Sequence, residues 1–216
     1  MGRVIWKENK VLSIETRKGI FVLAQMIKSP FLIFFNSFSE DNKFKESNLE
    51  NTPILFLHAV TRQFLKKANI ETLKIDPLEN YEQPKLWIKE NSGSRKVTVW
   101  AGTENEKNFI SFGENGGKLI EKDILKDGKY NHPSGIYDKS IKELMPKNVD
   151  ISEISNYELT SIEIYPNLNE RLYLCHLKGE NIDPAKNILF NIGMPLEYKK
   201  YVDIVSGLVK LEDLGY

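Results

Sequence analysis

Residues 19–38 read GIFVLAQMIKSPFLIFFNSF, and the fold turns on how this apolar run is read. A membrane-spanning helix needs about 20 consecutive apolar residues. Here Gln25 and then Lys28-Ser29-Pro30 interrupt the run at mid-length. Pro30 would also remove a helical hydrogen bond and clash with the preceding turn. Each half, 20–27 and 31–35, has the length of a strand and is rich in β-branched and aromatic residues. The stretch therefore predicts two buried strands joined by a tight turn at residues 28–30. No membrane span is expected. The opening MGRVIWKENK lacks the apolar core of a signal peptide, so a cytoplasmic location is expected.

Working outward, residues 11–16 (VLSIET) alternate and predict a strand, followed by a turn at Arg17-Lys18-Gly19. Three short-linked strands favour an antiparallel meander. Residues 36–52 are polar and read as a surface loop. PILFLHAV, residues 53–60, predicts a fourth buried strand. Thr61 is placed to cap a short helix ending in Lys66-Lys67, and residues 70–75 alternate as a fifth strand. Residues 76–94 carry two prolines and a glycine and mark the best domain boundary. Beyond it, residues 97–100 and 109–112 predict a hairpin, Gly116-Gly117 a turn, and residues 119–125 a short helix or strand. Residues 131–135 read as a loop and 136–145 as a helix stopped by Pro146. Residues 157–165 predict a strand and 169–178 lean helical. Asp183-Pro184 opens a helix, followed by a strand-like run at 188–193. Tyr198, Tyr201, Val202 and Val205 share one face of a last helix that Gly207 would cap. The expected class is α+β. A mainly antiparallel β-rich domain covers 1–90, and a mixed part covers 95–216. A helix or the second half should cover the far side of the hydrophobic sheet.

Composition narrows the function classes. The chain has 216 residues with 30 basic and 30 acidic side chains, so its net charge is zero. A dedicated nucleic-acid binder usually carries a basic excess. One cysteine, Cys175, excludes an intrachain disulfide and fits a reducing compartment. The charge is uneven. Residues 150–183 hold Asp150, Glu153, Glu158, Glu163, Glu170, Glu180 and Asp183 against Arg171 and Lys178 alone. An acidic patch of this kind suits a basic partner.

Catalytic constellations do not assemble from spacing. His58, His132 and His176 are isolated, and His58 lies inside an apolar strand, where a core histidine is the simpler reading. Cys175 and His176 are adjacent and so diverge on a helix or a strand, which leaves the thiol buried and inert. Gly113-Glu114-Asn115-Gly116-Gly117 lacks the Lys-Ser/Thr of a phosphate loop. No catalytic residue, metal ligand or cofactor is expected. Trp6-Lys7, Trp87 and Arg95-Lys96 with Trp100 could serve base stacking, but packing tryptophans are the simpler reading.

WKENKVLSIETRKGIFVLAQMI, then FLIFFNSF, then PILFLHAVTRQFL, follow one another at the N-terminus. This order resembles the bacterial immunity protein family 26. That family pairs a Trp/Lys-rich lead with a hairpin, an aromatic strand and a later apolar strand, then a closing proline-rich piece. The hairpin matches residues 11–27, the aromatic strand 31–38, the later strand 54–60 and the closing piece 84–88. Asn9-Lys10 stands where members often have Gly-Asp, and residues 95–216 match nothing in the pattern. The resemblance implies a protein that binds and blocks a cognate toxin, not an enzyme. The toxin is then the only partner, with no nucleic acid and no membrane. The acidic residues Glu153, Glu158, Glu163, Glu170, Glu180 and Asp183 are the expected contact surface, with the loop 39–51 second; toward a toxin that attacks nucleic acid the acids would mimic phosphate. The family sometimes carries a phosphotriesterase label, so one alternative is a hydrolase built from His58, His132, Cys175 and His176. The other is a β-rich nucleic-acid-binding module.

Overall fold

A computed structural model describes residues 4–17, 19–122, 139–147 and 149–216. The protein is α+β and divides into two compact units. Unit 1 comprises Met1–Tyr81, Ile162–Ile182 and Leu196–Tyr216. Unit 2 comprises Glu82–Ser161 and Asp183–Pro195. The break near residue 81 falls inside the expected boundary segment, but the units are not contiguous halves, because C-terminal segments return to the first sheet.

Unit 1 is built on the opening stretch. Strands β1 (Val11–Glu15), β2 (Phe21–Met26), β3 (Phe31–Ser39) and β4 (Ile54–Ala59) form the expected antiparallel meander, with β5 (Ile70–Thr72) beside β1, in the order β4-β3-β2-β1-β5. The turn at residues 28–30 is closed by Phe31 N–H donating to Lys28 C=O at 2.9 Å, and Ser29-Pro30 is cis. Helix α1 (Arg62–Lys67) starts where the Thr61 hydroxyl accepts the Phe64 N–H at 3.1 Å. Both sheet faces are buried. Leu12, Ile14, Val22, Ala24, Leu32, Phe34 and Phe56 pack on Leu168, Leu172 and Cys175 of helix α3 (Asn167–Lys178). Each such large side chain removed from water contributes about 1.5–3 kcal/mol. On the other face, Gln25 exchanges two hydrogen bonds with the Leu78 backbone, at 3.0 and 2.8 Å. The 36–52 segment is thus more than a surface loop. Its Leu49 is fully buried, and Asn42 bonds Ser13 of β1.

Unit 2 has the four-stranded order β8-β7-β6-β9. Strands β6 (Leu86–Val99) and β7 (Lys107–Glu121) form one long hairpin, of which the expected 97–100 and 109–112 segments are the distal end. Four expectations fail here. Gly116-Gly117 is not a turn but lies within β7. Residues 136–145 are not a helix over their described part, since Lys139–Leu144 form β8 against β7. Pairing along an open edge outweighs helical spacing when only Leu144 of that strand is buried. Residues 157–165 supply only a two-residue strand, β9 (Glu158–Leu159), parallel to β6, after a short helix α2 (Ile151–Ser155). The strand-like run 188–193 is instead the end of helix α4 (Pro184–Leu189) and a turn, with Asn191 at positive φ. Leu189 and Phe190 enter a core with Ile88, Leu119, Leu144, Ile154 and Leu159. The last helix of the chain, α5 (Lys199–Ser206), belongs to unit 1 and is closed by Gly207 in the left-handed region, as expected. The expected loop at 131–135 and the end of the 119–125 element lie outside the described residues. Among the described residues no helix is long and apolar enough to cross a membrane.

Candidate functional site

Unit 1 carries a cleft of about 210 Å³. Glu15 at the end of β1, Asn69 before β5, Tyr165 and Asn169 around the start of α3, and Tyr216 line it, with Lys67 at its rim. Two internal bonds fix the amides. Asn169 Nδ2 donates to the Glu15 C=O at 2.7 Å, and Asn69 Nδ2 donates to Glu15 Oε2 at 2.7 Å. The opposite end of each amide is therefore a carbonyl oxygen. Both oxygens, Asn69 Oδ1 and Asn169 Oδ1, are buried and accept no hydrogen bond among the described residues. A buried polar atom left unsatisfied costs about 1–3 kcal/mol. Among the described residues the Glu15 carboxylate accepts Asn69 Nδ2 and, at 2.9 Å, the Gly19 N–H. Burial and the Glu15 charge push the Tyr165 phenol above its ordinary pKa, and burial with the Glu170 charge does the same to Tyr216. Both rings stay neutral, edge to face at 6.0 Å.

Behind this cleft lies a charged scaffold. Glu170 is fully buried and receives Arg17 Nε at 2.7 Å, Arg17 Nη2, and the Tyr216 hydroxyl at 2.7 Å. Arg171, also fully buried, lies over the Phe56 ring at 3.9 Å, donates to Ile182 C=O at 3.0 Å and stands 3.6 Å from Glu163.

The second place that invites a ligand is in unit 2. The distal hairpin pairs residues 94–99 with 107–112, and no third strand joins it among the described residues. Its inner face buries Val97, Val99 and Phe109, and Trp100 Nε1 donates to Met194 C=O at 2.6 Å. Its outer face presents Ile110 at 64 % and Phe112 at 87 % exposure, one pleat apart.

The expected acidic surface dissolves on inspection. Glu163 and Glu170 are internal ion-pair partners in unit 1. Glu158 is buried in β9, and Asp183 is buried as the cap of α4, accepting the Ala185 N–H at 3.1 Å. Glu153 is half-buried and engaged by Lys142 at 2.9 Å. Only Glu180 is freely exposed. Alternation of acids with apolar residues here marks internal pairing, toward a fully buried Arg171 and a partly buried Arg17. His58 is fully buried, as expected of a core histidine, but its Nε2 finds no partner among the described residues, so it is not the satisfied one expected; the Cys175 thiol is buried against the Ile182 backbone. His132 lies outside the described residues. Among the described residues no three His, Cys, Asp or Glu side chains gather as metal ligands. Sequence reasoning missed the cleft. Its residues come from four separated segments with no motif. One signal was available: Asn169-Glu170-Arg171 sits polar between Leu168 and Leu172 on the core-facing part of α3.

One partly buried acid of unit 2, Glu90, has a measurable consequence. Burial raises the pKa of Glu90 above its ordinary value, while the Ser161 hydroxyl lowers it and the Asp183 charge raises it. A raised folded-state value means that the folded protein holds the proton longer. Stability contributed by Glu90 is full below the unfolded carboxyl range and is lost as pH rises through the folded value. Glu90→Gln should therefore raise the melting temperature at pH 7 by about 2–4 °C. The gain should shrink as pH falls toward the ordinary carboxyl range. A pH series of melting curves checks it, and a gain that grows toward acid would refute the assignment.

Comparison with curated proteins and with solved structures returns no match. The family model described as a domain of unknown function, DUF8309, matches residues 1–193, and the chain belongs to that family.

Proposed function

We propose that the chain is a protein-binding module that neutralises a cognate toxin by direct contact in the cytoplasm. The likeness of its N-terminal strands to immunity proteins favours that role. The observation that carries the binding reading is the outward pair Ile110 and Phe112 on a two-stranded ribbon. An aromatic side chain held out on a regular scaffold is the usual anchor of a protein interface. The unpaired ribbon edges offer backbone donors and acceptors to a partner's strand. Lys96, cross-strand from Ile110, supplies an aliphatic stem beside the anchor. The contact surface thus moves from the expected carboxylates, four of which are buried, to the ribbon.

Co-expression with the product of the neighbouring gene tests the reading. The two proteins should co-purify, and cells poisoned by the neighbour should be rescued. The double substitution Ile110→Ser with Phe112→Ser should weaken the complex by about 100-fold or more, since central anchors each contribute at least about 2 kcal/mol. Its melting temperature should match the parent's. Unchanged affinity would remove the ribbon from the interface, and absence of any rescue would defeat the neutralising role.

A further inference from the structure

The sheet of unit 1 ends in a basic rim that the topology assembles from separate segments, and this stands independently of the ribbon. In the order β4-β3-β2-β1-β5, one end of the sheet gathers the last residues of β4, β2 and β5 and the first of β3 and β1. Backbone bonds hold the flanking segments there. Val60 N–H donates to Pro30 C=O at 2.9 Å, Asn9 N–H to Met26 C=O at 2.8 Å, and Leu73 N–H to Val11 C=O at 3.0 Å. Arg62, Lys28, Lys7, Lys10 and Lys74 therefore follow one another along this rim, all exposed except the half-buried Lys10. Four strand spacings make the row about 19 Å long. Glu8 is the exposed acid within these segments, and Asp76 lies just beyond Lys74. Lys7, Arg62 and Lys74 have no ion-pair partner among the described residues. Isoleucines stand among the cations. Ile5 is 70 % exposed. Ile162 and Ile164 are exposed on either side of Glu163, whose C=O accepts the Thr61 N–H at 3.1 Å.

We propose that this rim docks unit 1 on an anionic lipid surface. A fixed row of cations meets complementary charge in a plane of phosphate headgroups, and each Lys or Arg near such a plane strengthens binding about fivefold. The isoleucines decide among polyanions. A nucleic-acid backbone gives exposed isoleucines nothing to bury against, and base stacking needs aromatic faces. Trp6 is not free to stack, being half-buried against the core with its Nε1 donating to Ile27 C=O at 2.8 Å. Protein interfaces are depleted in lysine and enriched in aromatic residues, whereas four of these five cations are lysines. A lipid boundary takes both kinds of side chain, apolar tips at the acyl edge and ammonium groups among the headgroups. The contact is peripheral: rim side chains touch the boundary and the sheet stays outside it. It adds a lipid surface to the toxin, the one partner that the N-terminal resemblance implies.

The test floats the intact chain with vesicles of phosphatidylcholine, alone or with one part in four of phosphatidylglycerol. At about 0.15 M salt, where charges act over about 8 Å, the protein should rise with the anionic vesicles and not with the neutral ones. Raising the salt to about 1 M should release it. Lys7→Gln, Arg62→Gln and Lys74→Gln together should weaken binding about 100-fold. All three side chains are exposed, so the melting temperature should stay in place. Lys43→Gln, Lys45→Gln and Lys96→Gln remove the same charge from other exposed positions and should leave binding near the parent's. Ile5→Ser should weaken it about tenfold, because an apolar side chain is lost from the acyl boundary. No flotation with the anionic vesicles overturns the proposal. Equal loss from the two triple variants overturns it, since net charge alone would then drive binding. Unchanged binding of Ile5→Ser does the same. An oligonucleotide or poly-glutamate bound as tightly as the vesicles would assign the rim to a nucleic acid or an acidic protein, and overturns it too.

Discussion

Replacing Arg17 with methionine will destabilise the protein by about 3–5 kcal/mol, the range for breaking a buried ion pair from one side. Glu170 has no exposed side-chain surface, and Arg17 is 25 % exposed, so the guanidinium is the carboxylate's chief compensation for lost water. The contact is bidentate, Nε to Oε2 at 2.7 Å and Nη2 to Oε1. Arg17 is also held over the Tyr173 ring at 3.9 Å. Methionine keeps most of the apolar stem but strands the Glu170 charge with only the Tyr216 hydroxyl and the amino end of α3. Glu170→Gln should cost less, about 1–2 kcal/mol, because the freed Arg17 can reach solvent. Pairing Arg17→Met with Glu170→Leu should recover much of the loss, since a well-packed apolar pair often equals a buried salt bridge. Urea denaturation of the three variants measures these differences. A loss below about 1 kcal/mol for Arg17→Met would mean that the pair is solvated in solution.

That pair also explains why the acidic stretch misled. A run with seven acids and two bases reads as a charged face when the partners cannot be seen. Glu170 meets Arg17 across more than 150 positions of sequence, a distance over which spacing carries no information. Local signals fared better. Thr61 capped α1, Asp183 capped α4, and Gly207 closed α5, each because the residue's own chemistry satisfies nearby backbone groups. The meander was legible for the same reason: its strands are consecutive, and the apolar run left few alternatives. The 139–144 strand was not, because Lys139–Leu144 owes its form to the β7 edge rather than to its own pattern. The cleft was illegible throughout, since unsatisfied carbonyl oxygens are a property of assembled geometry.

Gly117 is the position where a single methyl group should do most damage in unit 2. Sequence reading took Gly116-Gly117 for a turn, but β7 runs straight through them, with β6 on one side and β8 on the other. Gly117 stands opposite Glu90, and a Cβ there would sit 2.5 Å from the Lys89 carbonyl oxygen. Gly116 has φ +81° and its Cβ would strike the Leu144 carbonyl of β8. Both glycines therefore serve close approach of neighbouring backbones, where no rotamer change can relieve the clash. Gly117→Ala should cost about 3 kcal/mol, at the upper end for overpacking, because the obstructing atom belongs to a paired strand. Gly193→Ala is the matched control, since nothing lies within 4 Å of its Cβ position. Thermal melts of the two variants should differ by about 6–12 °C, using the scaling for a chain of this size. Equal melting temperatures would show that β6 and β7 can part without loss where their register shifts, between Glu90 and Asn91. The close approach at Glu90–Gly117 would then be incidental to the hairpin rather than the device that holds β8 on its edge.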